Sequence, residues 1–455
     1  MNKMSYNIKE RIIFTAILVL TVLVSYFLPS FEELYFVVII VLFFFSKIDH
    51  FWVVYFFFIM QFPGGLFLPP HGLIRGISIS HYFIIATLIK IFIKNEIYSE
   101  NVIKVFSPVA LYSFVLILIG VYNGIDGDAT RLIQTSILSL VFIYTVQKMI
   151  SNKIMFDKLI DLIFLSMIYL FIMQIHDYVS HTNTLNYLGG ASDIYNVKTD
   201  LSKGQIIRIF YGPLISFFAL IFSLNYLLKS RNENYSNNFL LIIVIISYLN
   251  IFLTATRGYV LQYTFIILLF SFMTKKRFIS LIISLIATYY ILIEIFPILN
   301  IQIGLVVERL MTLSDFFAGD KTAGGTLIRI TERAPRVWAK FLEYPVMGVG
   351  YSKIGVLYND DHVGNYTLLL QGGILGLLVY ITCLLTFINL LYKKFKNLPN
   401  NMIERKHQII FFIAIIISLI IAHSTSSTIF TYYFEPHLAV QFSLLFLFYK
   451  FEILR

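Results

Sequence analysis

Charged residues and cysteine are both scarce in this chain of 455 residues. Only 13% of the residues are Asp, Glu, Lys or Arg, whereas an ordinary soluble domain carries about 25%. Such a chain cannot cover a soluble surface with polar side chains, which excludes a soluble enzyme. The single cysteine, Cys383, excludes a disulfide framework and a zinc site built from cysteines. No Walker loop or dinucleotide fingerprint is present, so ATP-driven and NAD-dependent activities have no support.

Apolar residues make up 58% of the chain and occur in long runs. The net charge of +10 comes from basic residues scattered through the short gaps between these runs. This pattern is typical of a polytopic membrane protein and does not indicate a nucleic-acid-binding protein. The composition therefore predicts an all-α fold, an integral membrane helical bundle in which residues 1–455 form a single transmembrane domain.

A membrane-spanning helix needs about 20 mostly apolar residues. Two shorter runs, 34–45 and 51–62, are interpreted as a tight helical pair, with one interrupted element as the alternative. Together with the longer runs they predict a bundle of about 14 transmembrane helices. The longer runs are 12–28, 77–93, 105–122, 132–147, 159–175, 209–228, 239–254, 257–273, 278–297, 366–392, 408–423 and 431–449.

Clusters of Lys and Arg predict the orientation, because such clusters favour the cytoplasmic side. The clusters at 275–277 and within 393–406 bracket two predicted spans and the long segment between them. Two crossings between cytoplasmic anchors place the segment 298–364 outside as a large, helical extracytoplasmic loop. A smaller outside loop is predicted at 176–208, and both termini are predicted to be cytoplasmic.

The large loop contains four regularly spaced cations. Arg329, Arg333, Arg336 and Lys340 fall at i, i+4, i+7 and i+11, so one helix would bring them to one face. Pro335 fits better as the start of a second helix. Guanidinium groups bind phosphate through paired hydrogen bonds, which indicates an anion site. The alternative is a solvated amphipathic helix that lies on the lipid headgroups.

Two further arginines lie at predicted membrane boundaries. Arg257 occupies the outer turn between two spans, and Arg208 precedes another span. A charge at an apolar boundary either binds a partner or extends to the headgroups, and both interpretations stay open. The segment containing His176, Asp177 and His181 has loose metal-ligand spacing without a third clustered ligand, so no metal site is predicted.

His362 is the candidate for proton transfer. Its ordinary pKa suits that role near neutral pH, and the preceding Asp360 and Asp361 could stabilise its charged form. We take His362 with Asp361 as the candidate catalytic pair, although an ordinary loop histidine is the alternative.

Three motifs resemble the O-antigen polymerase and O-antigen ligase family of bacterial envelope enzymes. They are TRG at 256–258, the Arg/Trp segment leading to PVMGVG at 345–350, and HVGNYTLLLQGGILGLL at 362–378. In that family a His precedes a Gly-Ile-Leu-Gly helix start by eleven residues, as His362 precedes Gly373. The likeness covers roughly 205–392. The chain departs from the family pattern at Val363, where Asn often follows the His.

The resemblance implies a metal-independent, inverting glycosyltransferase without a cofactor, in the bacterial cytoplasmic (inner) membrane. It implies that Arg257 and one arginine of 329–336 bind the diphosphate, while His362 deprotonates the acceptor. Donor and acceptor would be undecaprenyl-diphosphate-linked oligosaccharides at the outer membrane face. Membrane lipid, a chain-length regulator and a flippase are the other implied partners.

Three function classes stay open from the sequence. The first is a polymerase that joins lipid-linked repeat units into O-antigen or capsular polysaccharide. The second is a ligase that transfers the finished glycan to lipid A core or another acceptor. The third is a lipid-linked oligosaccharide flippase or a permease, which would need several charges inside its spans. Glu294 is the main mid-span charge here, so an enzyme is favoured and the polymerase is preferred.

Overall fold

Every element of the described part of the chain is a helix. The computed structural model describes residues 100–150, 152–180, 209, 212–229, 235–254, 256–317, 328–360, 362–425 and 437–454, with parts of 12–45 and 85–89. Two five-residue π-helical segments, Arg329–Arg333 and Tyr449–Ile453, accompany the α-helices. The α-helices are α1 (Glu32–Phe45), α2 (Glu100–Asn123), α3 (Gly127–Met149), α4 (Lys153–Ser180), α5 (Pro213–Leu228), α6 (Asn237–Leu253), α7 (Arg257–Met273), α8 (Lys275–Ile295), α9 (Ile298–Phe317), α10 (Ala334–Phe341), α11 (Lys353–Tyr358), α12 (Gly364–Asn397), α13 (Ile403–Thr425) and α14 (His437–Phe448).

Three of these helices are long and apolar enough to cross a membrane. They are α4, α12 and residues 403–423 of α13. Shorter apolar helices include α5, α6 and α7. The all-α class is confirmed for the described residues, and the long apolar helices agree with a membrane protein. The count of about 14 crossings stays a prediction, because 51–62 lies outside the described residues and 77–93 is described only in part.

Helix α5 forms the centre of the bundle. It packs against α6 and α4, and its side chains from Leu214 to Leu228 are buried. Peripheral helices instead expose large apolar side chains, as at Leu118 (71% exposed) and Phe272 (82% exposed). In water such exposure would be costly, whereas lipid chains can cover these side chains without a loss of hydrogen bonds.

Both segments predicted as outside loops begin within helices. Helix α4 continues to Ser180, so the segment predicted as a loop at 176–208 starts inside a helix. The segment 298–364, predicted as a helical loop, begins with the 20-residue α9. Helix α9 packs against α4 and α6, and buried Gln302 donates to the Leu253 carbonyl oxygen at 3.0 Å.

One end of the bundle is held together by a buried carboxylate. Glu452, only 2% exposed, pairs with Lys153 at the start of α4 and with Lys229 after α5. Arg405 near the start of α13 donates to the Glu452 backbone carbonyl. Tyr178 near the end of α4 donates instead to Leu253 at the end of α6. The helix ends therefore separate into two groups at opposite ends of the bundle.

Helix α12 is broken at Gly373, which has φ 63° and ψ −169°. The break leaves carbonyl groups of the preceding turn without helical partners. Leu370 and Gln371 accept hydrogen bonds from the N–H groups of Val349 and Gly350, both at 2.9 Å. The loop backbone thus takes the place of the missing helical turn.

The same loop also binds the second half of the broken helix. The N–H groups of Ile374 and Leu375 donate to the carbonyl oxygens of Pro345 and Val346, at 2.9 and 3.1 Å. A Cβ added to Gly348 would lie 2.4 Å from the Gln371 carbonyl oxygen, so only glycine allows this approach. The PVMGVG motif therefore fills the break in α12 and carries the preceding arginine segment.

Candidate functional site

Helix α10 presents its cations on one edge and its buried residues on another. Pro335 lies in its first turn, where a missing N–H costs nothing. Ala334 and Val337 are buried and belong to one apolar cluster with Val349, Val363 and Leu370. Through this cluster α10 packs against the first half of α12. The π-helical segment Arg329–Arg333 runs directly into α10, so the arginines lie on one continuous helical element.

Asp360 connects this element to the histidine loop. Its side chain is 9% exposed and pairs with Arg333 at 3.5 Å and with Arg336 at 3.2 Å. Its Oδ1 also accepts the His362 backbone N–H at 3.0 Å. The Thr367 hydroxyl donates to the Asp360 backbone carbonyl at 2.8 Å. One carboxylate therefore fixes two guanidinium groups and the backbone of His362.

Buried hydrogen bonds hold the turn that carries Arg257. The carbonyl of Leu253, the last residue of α6, accepts hydrogen bonds from Tyr178 and Gln302 at 2.7 and 3.0 Å. Thr254 caps the same helix end by donating to Ile251 at 2.7 Å. Because only a short turn joins α6 to α7, these bonds place Arg257 at the same group of helix ends as Tyr178 and Leu253.

Arg257 and Arg329 lie close enough for their charges to interact. Desolvation is the main cause that lowers the pKa of Arg329, and the positive charges of Arg333 and Arg257 lower it further. The carboxylate of Asp360 acts in the opposite direction. Among the described residues no carboxylate lies within ion-pairing distance of Arg329. A desolvated guanidinium beside two other guanidinium groups is a site that an anion would stabilise.

His362 lies in the same electrostatic field. Partial desolvation of the ring lowers its pKa below the ordinary 6.5, and the charges of Arg329 and Arg333 lower it further. Asp360 raises the pKa, but it is the weakest of these causes. The imidazole is therefore neutral at neutral pH and can accept a proton. Such a base beside an anion site could support transfer of a group from a phosphorylated donor.

The structure brings together most of the residues singled out from the sequence. Arg329 and Arg333 interact electrostatically with His362, and Arg336 pairs with Asp360. Arg257 lies within electrostatic reach of Arg329. Arg208 and Asp361 lie outside the described residues.

Asp360 and Thr367 are the site residues that the sequence argument did not assign. The sequence analysis named Asp360 beside His362 but took Asp361 for the catalytic pair, since adjacent aspartates differ in nothing that ranks them. A threonine in an apolar helix is an ordinary core residue. A signal was nevertheless present in the spacing, because an Asp two residues before a His can accept that residue's backbone N–H in a turn.

No metal centre was predicted. In the described ranges, no group of three or more His, Cys, Asp or Glu side chains could hold a metal ion. His176 Nδ1 lies 3.0 Å from the buried Asp177 carboxylate, which accounts for the polar pattern noted there. His181 lies outside the described residues.

Comparison with known proteins adds no assignment. No protein-family model matches the chain, and no curated protein matches it significantly.

Proposed function

We propose that this protein is a membrane-embedded glycosyltransferase of the O-antigen polymerase type. In this proposal it joins undecaprenyl-diphosphate-linked repeat units into O-antigen or capsular polysaccharide. The observation that carries the proposal is an electrostatic cluster in which Arg329, Arg333 and His362 interact with Asp360, and Arg257 interacts with Arg329. Four positive or proton-accepting groups gathered at the end of apolar helices suit an anionic lipid headgroup.

The arginines divide into two functional sets. Arg333 and Arg336 are paired with Asp360, so much of their charge is already compensated. Arg329 has no such carboxylate among the described residues and lies close to Arg257. We therefore assign diphosphate binding to Arg329 and Arg257, and assign orientation of Asp360 to Arg333 and Arg336.

The reaction follows from this division. The acceptor hydroxyl oxygen bonds to the anomeric carbon from the face opposite the diphosphate, while the bond from that carbon to the diphosphate oxygen breaks. His362 accepts the hydroxyl proton, and Arg257 with Arg329 stabilises the charge that develops on the leaving diphosphate. Configuration at the anomeric carbon inverts. Diphosphate is a good leaving group, so positioning and charge stabilisation are the protein's main contributions.

The topology belongs to the same proposal. About 14 crossings in the bacterial inner membrane place both termini in the cytoplasm and the segment 298–364 outside. The two groups of helix ends agree with this arrangement, since Lys153, Lys229, Arg405 and Glu452 meet at one end. In this arrangement the arginine cluster faces the outer leaflet, where lipid-linked oligosaccharides are presented.

Deletion of the gene tests the function directly. A polymerase deletion accumulates lipid-linked single repeat units, whereas a ligase deletion accumulates lipid-linked polymer. A flippase deletion would retain single repeats on the cytoplasmic face, where an added membrane-impermeant glycosidase cannot reach them in intact spheroplasts. Accumulation of polymer, or of single repeats that stay protected from the glycosidase, would refute the polymerase assignment.

Reconstitution tests the assigned residues. The purified protein in liposomes should join lipid-linked repeats in the presence of a chelator. Arg257→Ala and His362→Ala should abolish polymer formation while the protein still inserts into the membrane. Lys340→Ala is the control variant. Lys340 lies on α10 with Arg336, but it pairs with Glu343 at 2.7 Å and not with Asp360.

A further inference from the structure

An exposed apolar edge lies on α10 opposite its cations. Trp338 and Leu342 are one helical turn apart and are 41% and 56% exposed. Arg336 and Lys340 are also one turn apart, and they are offset from the first pair by two residues. Since successive residues turn by about 100°, the two pairs lie on opposite edges of the helix. The buried residues Ala334, Val337 and Phe341 lie between these edges.

The apolar edge continues into the loop that follows α10. Val346 and Met347 are 57% and 42% exposed. Together with Trp338 and Leu342 they are large exposed apolar residues of α10 and the loop that follows it, and we name these four residues the apolar edge. An exposed patch of this kind on a folded protein marks a contact surface.

The apolar edge is continuous with a helix that is long enough to span the membrane. The Val346 carbonyl accepts the Leu375 N–H at 3.1 Å, so the loop adjoins α12 directly. From the break onward, α12 exposes the apolar side chains of Ile374, Leu378 and Leu385, which are 47%, 52% and 58% exposed. Only 28% of an apolar stretch of 18 residues in α12 is buried inside the protein, so most of this stretch is available for contact with lipid.

We propose that the apolar edge is inserted in the outer leaflet, with Trp338 at the level just below the headgroups. Helix α10 then lies in the plane of the interface, with its cationic edge at the level of the lipid phosphates and its buried residues against α12. Tryptophan favours this depth because its ring is apolar and its N–H can reach water or headgroups. The helix has the two opposed edges of an interfacial amphipathic helix.

This insertion would set the height of the candidate site above the membrane. Arg333 and Arg336 extend from the edge of α10 that lies away from the acyl chains, at the level of the lipid phosphates. A lipid-linked diphosphate occupies that same level. The choice of the outer leaflet rests on the topology in the proposed function, whereas the contact of α10 with lipid does not depend on the proposed reaction.

Tryptophan fluorescence tests the depth of the edge. The chain has two tryptophans, so Trp52→Phe leaves Trp338 as the only one. The purified variant is placed in liposomes of phosphatidylethanolamine and phosphatidylglycerol that contain a phosphatidylcholine brominated at a chosen acyl position. We expect bromine near the headgroup to quench most of the emission, bromine near the chain end to quench less, and aqueous iodide to quench little.

A matched variant provides the control. Trp52→Phe combined with Trp338→Phe and Lys340→Trp moves the single tryptophan to the cationic edge of the same helix. Its emission should respond to iodide and hardly to brominated lipid. Equal iodide quenching of both proteins would overturn the proposal. Shielding of Trp338 from both quenchers would also overturn it, because a protein surface or a sugar would then cover the edge.

A second measurement covers the case in which these variants do not fold. Cys383 is the only cysteine and is buried, so a Cys383→Ser background permits a nitroxide label at Leu342→Cys or Lys340→Cys. The label at 342 should be more accessible to oxygen than to a water-soluble nickel chelate, and the label at 340 should show the reverse. Equal accessibility at both positions would refute insertion. Neither measurement requires enzyme activity, so a failed glycosyltransferase assay leaves this result unaffected.

Discussion

Gly348→Ala should detach the loop at 345–350 from the break in α12. Gly348 has φ +70°, where an L-residue costs about 1–2 kcal/mol. The added Cβ would also lie 2.4 Å from the Gln371 oxygen and 2.5 Å from its carbon, and backbone atoms cannot rotate away. Relief would require loss of the bonds from Val349 and Gly350, at about 0.5–1.5 kcal/mol each. The combined cost is about 2–5 kcal/mol.

Two other glycines separate the contributions. Gly124 has φ +91° and nothing within 4 Å of an added Cβ, so Gly124→Ala should show only the backbone cost of about 1–2 kcal/mol. Gly304 lies inside α9 with nothing within 4 Å, so Gly304→Ala should stabilise the protein by about 0.5–1 kcal/mol. Gly304 lies in α9, away from the broken helix. The Gly124 carbonyl accepts the Lys353 N–H at 2.9 Å, and an added Cβ does not touch this bond.

The assay is the thermal midpoint of the detergent-solubilised protein, followed by loss of monodisperse elution. The expected order is Gly304→Ala above the unsubstituted protein, then Gly124→Ala, then Gly348→Ala. Gly348→Ala should also lose polymer formation at temperatures where it remains folded, because α10 would no longer be held on α12. If Gly348→Ala and Gly124→Ala melt together, the loop does not fill the helix break as described.

The remaining predictions concern charge. Arg329→Ala should lower turnover by about 10²–10³, the usual loss of one electrostatic partner. Arg336→Ala should lower turnover far less, because the Arg336 side chain is 53% exposed. Equal losses in reconstituted transfer would contradict the division of roles. Activity should rise with pH through the His362 pKa, with half-maximal activity below 6.5, because only the neutral ring accepts a proton. Arg329→Gln removes a positive charge that disfavours the imidazolium, so the acid limb of its residual activity should move to higher pH; a limb that does not move would exclude His362 as the titrating base. Glu452→Ala should destabilise the protein by about 3 kcal/mol, since it leaves two lysines beside a buried position. Glu343→Ala, which removes the exposed carboxylate that pairs with Lys340, should leave the thermal midpoint nearly unchanged. Similar midpoints for these two variants would contradict a structural role for the buried carboxylate.

The individual members of the candidate site could be chosen from the sequence because their chemistry is unusual for their surroundings. Arginine at the end of an apolar run, as at Arg257, requires either solvent or a partner. A periodic set such as Arg329, Arg333 and Arg336 indicates one helical face. Their convergence with His362 could not be deduced in this way. It depends on the contact of α10 with α12, between residues that lie about 30 positions apart.

The role of Asp360 shows why local pattern was insufficient. Asp360 and Asp361 are identical in type and adjacent, so composition cannot rank them. Asp360 acquires its role because Val363 and Leu370 pack against Ala334 and Val337, which brings the guanidinium groups of α10 to its carboxylate. Burial of apolar side chains therefore brings the Asp360 carboxylate to the arginines.

Sequence alone determined that the chain is helical and suited to a membrane, because the length and apolarity of a helical run are local properties that need no knowledge of neighbours. Local apolarity also located most helix centres, but not their ends at Ser180 or at the start of α9. Only the tertiary structure decided that α12 is broken at Gly373 and completed by the backbone of 345–350. Hydrogen bonds between distant backbone groups leave no periodic signal in the chain, and they appear only when packing brings the two segments together.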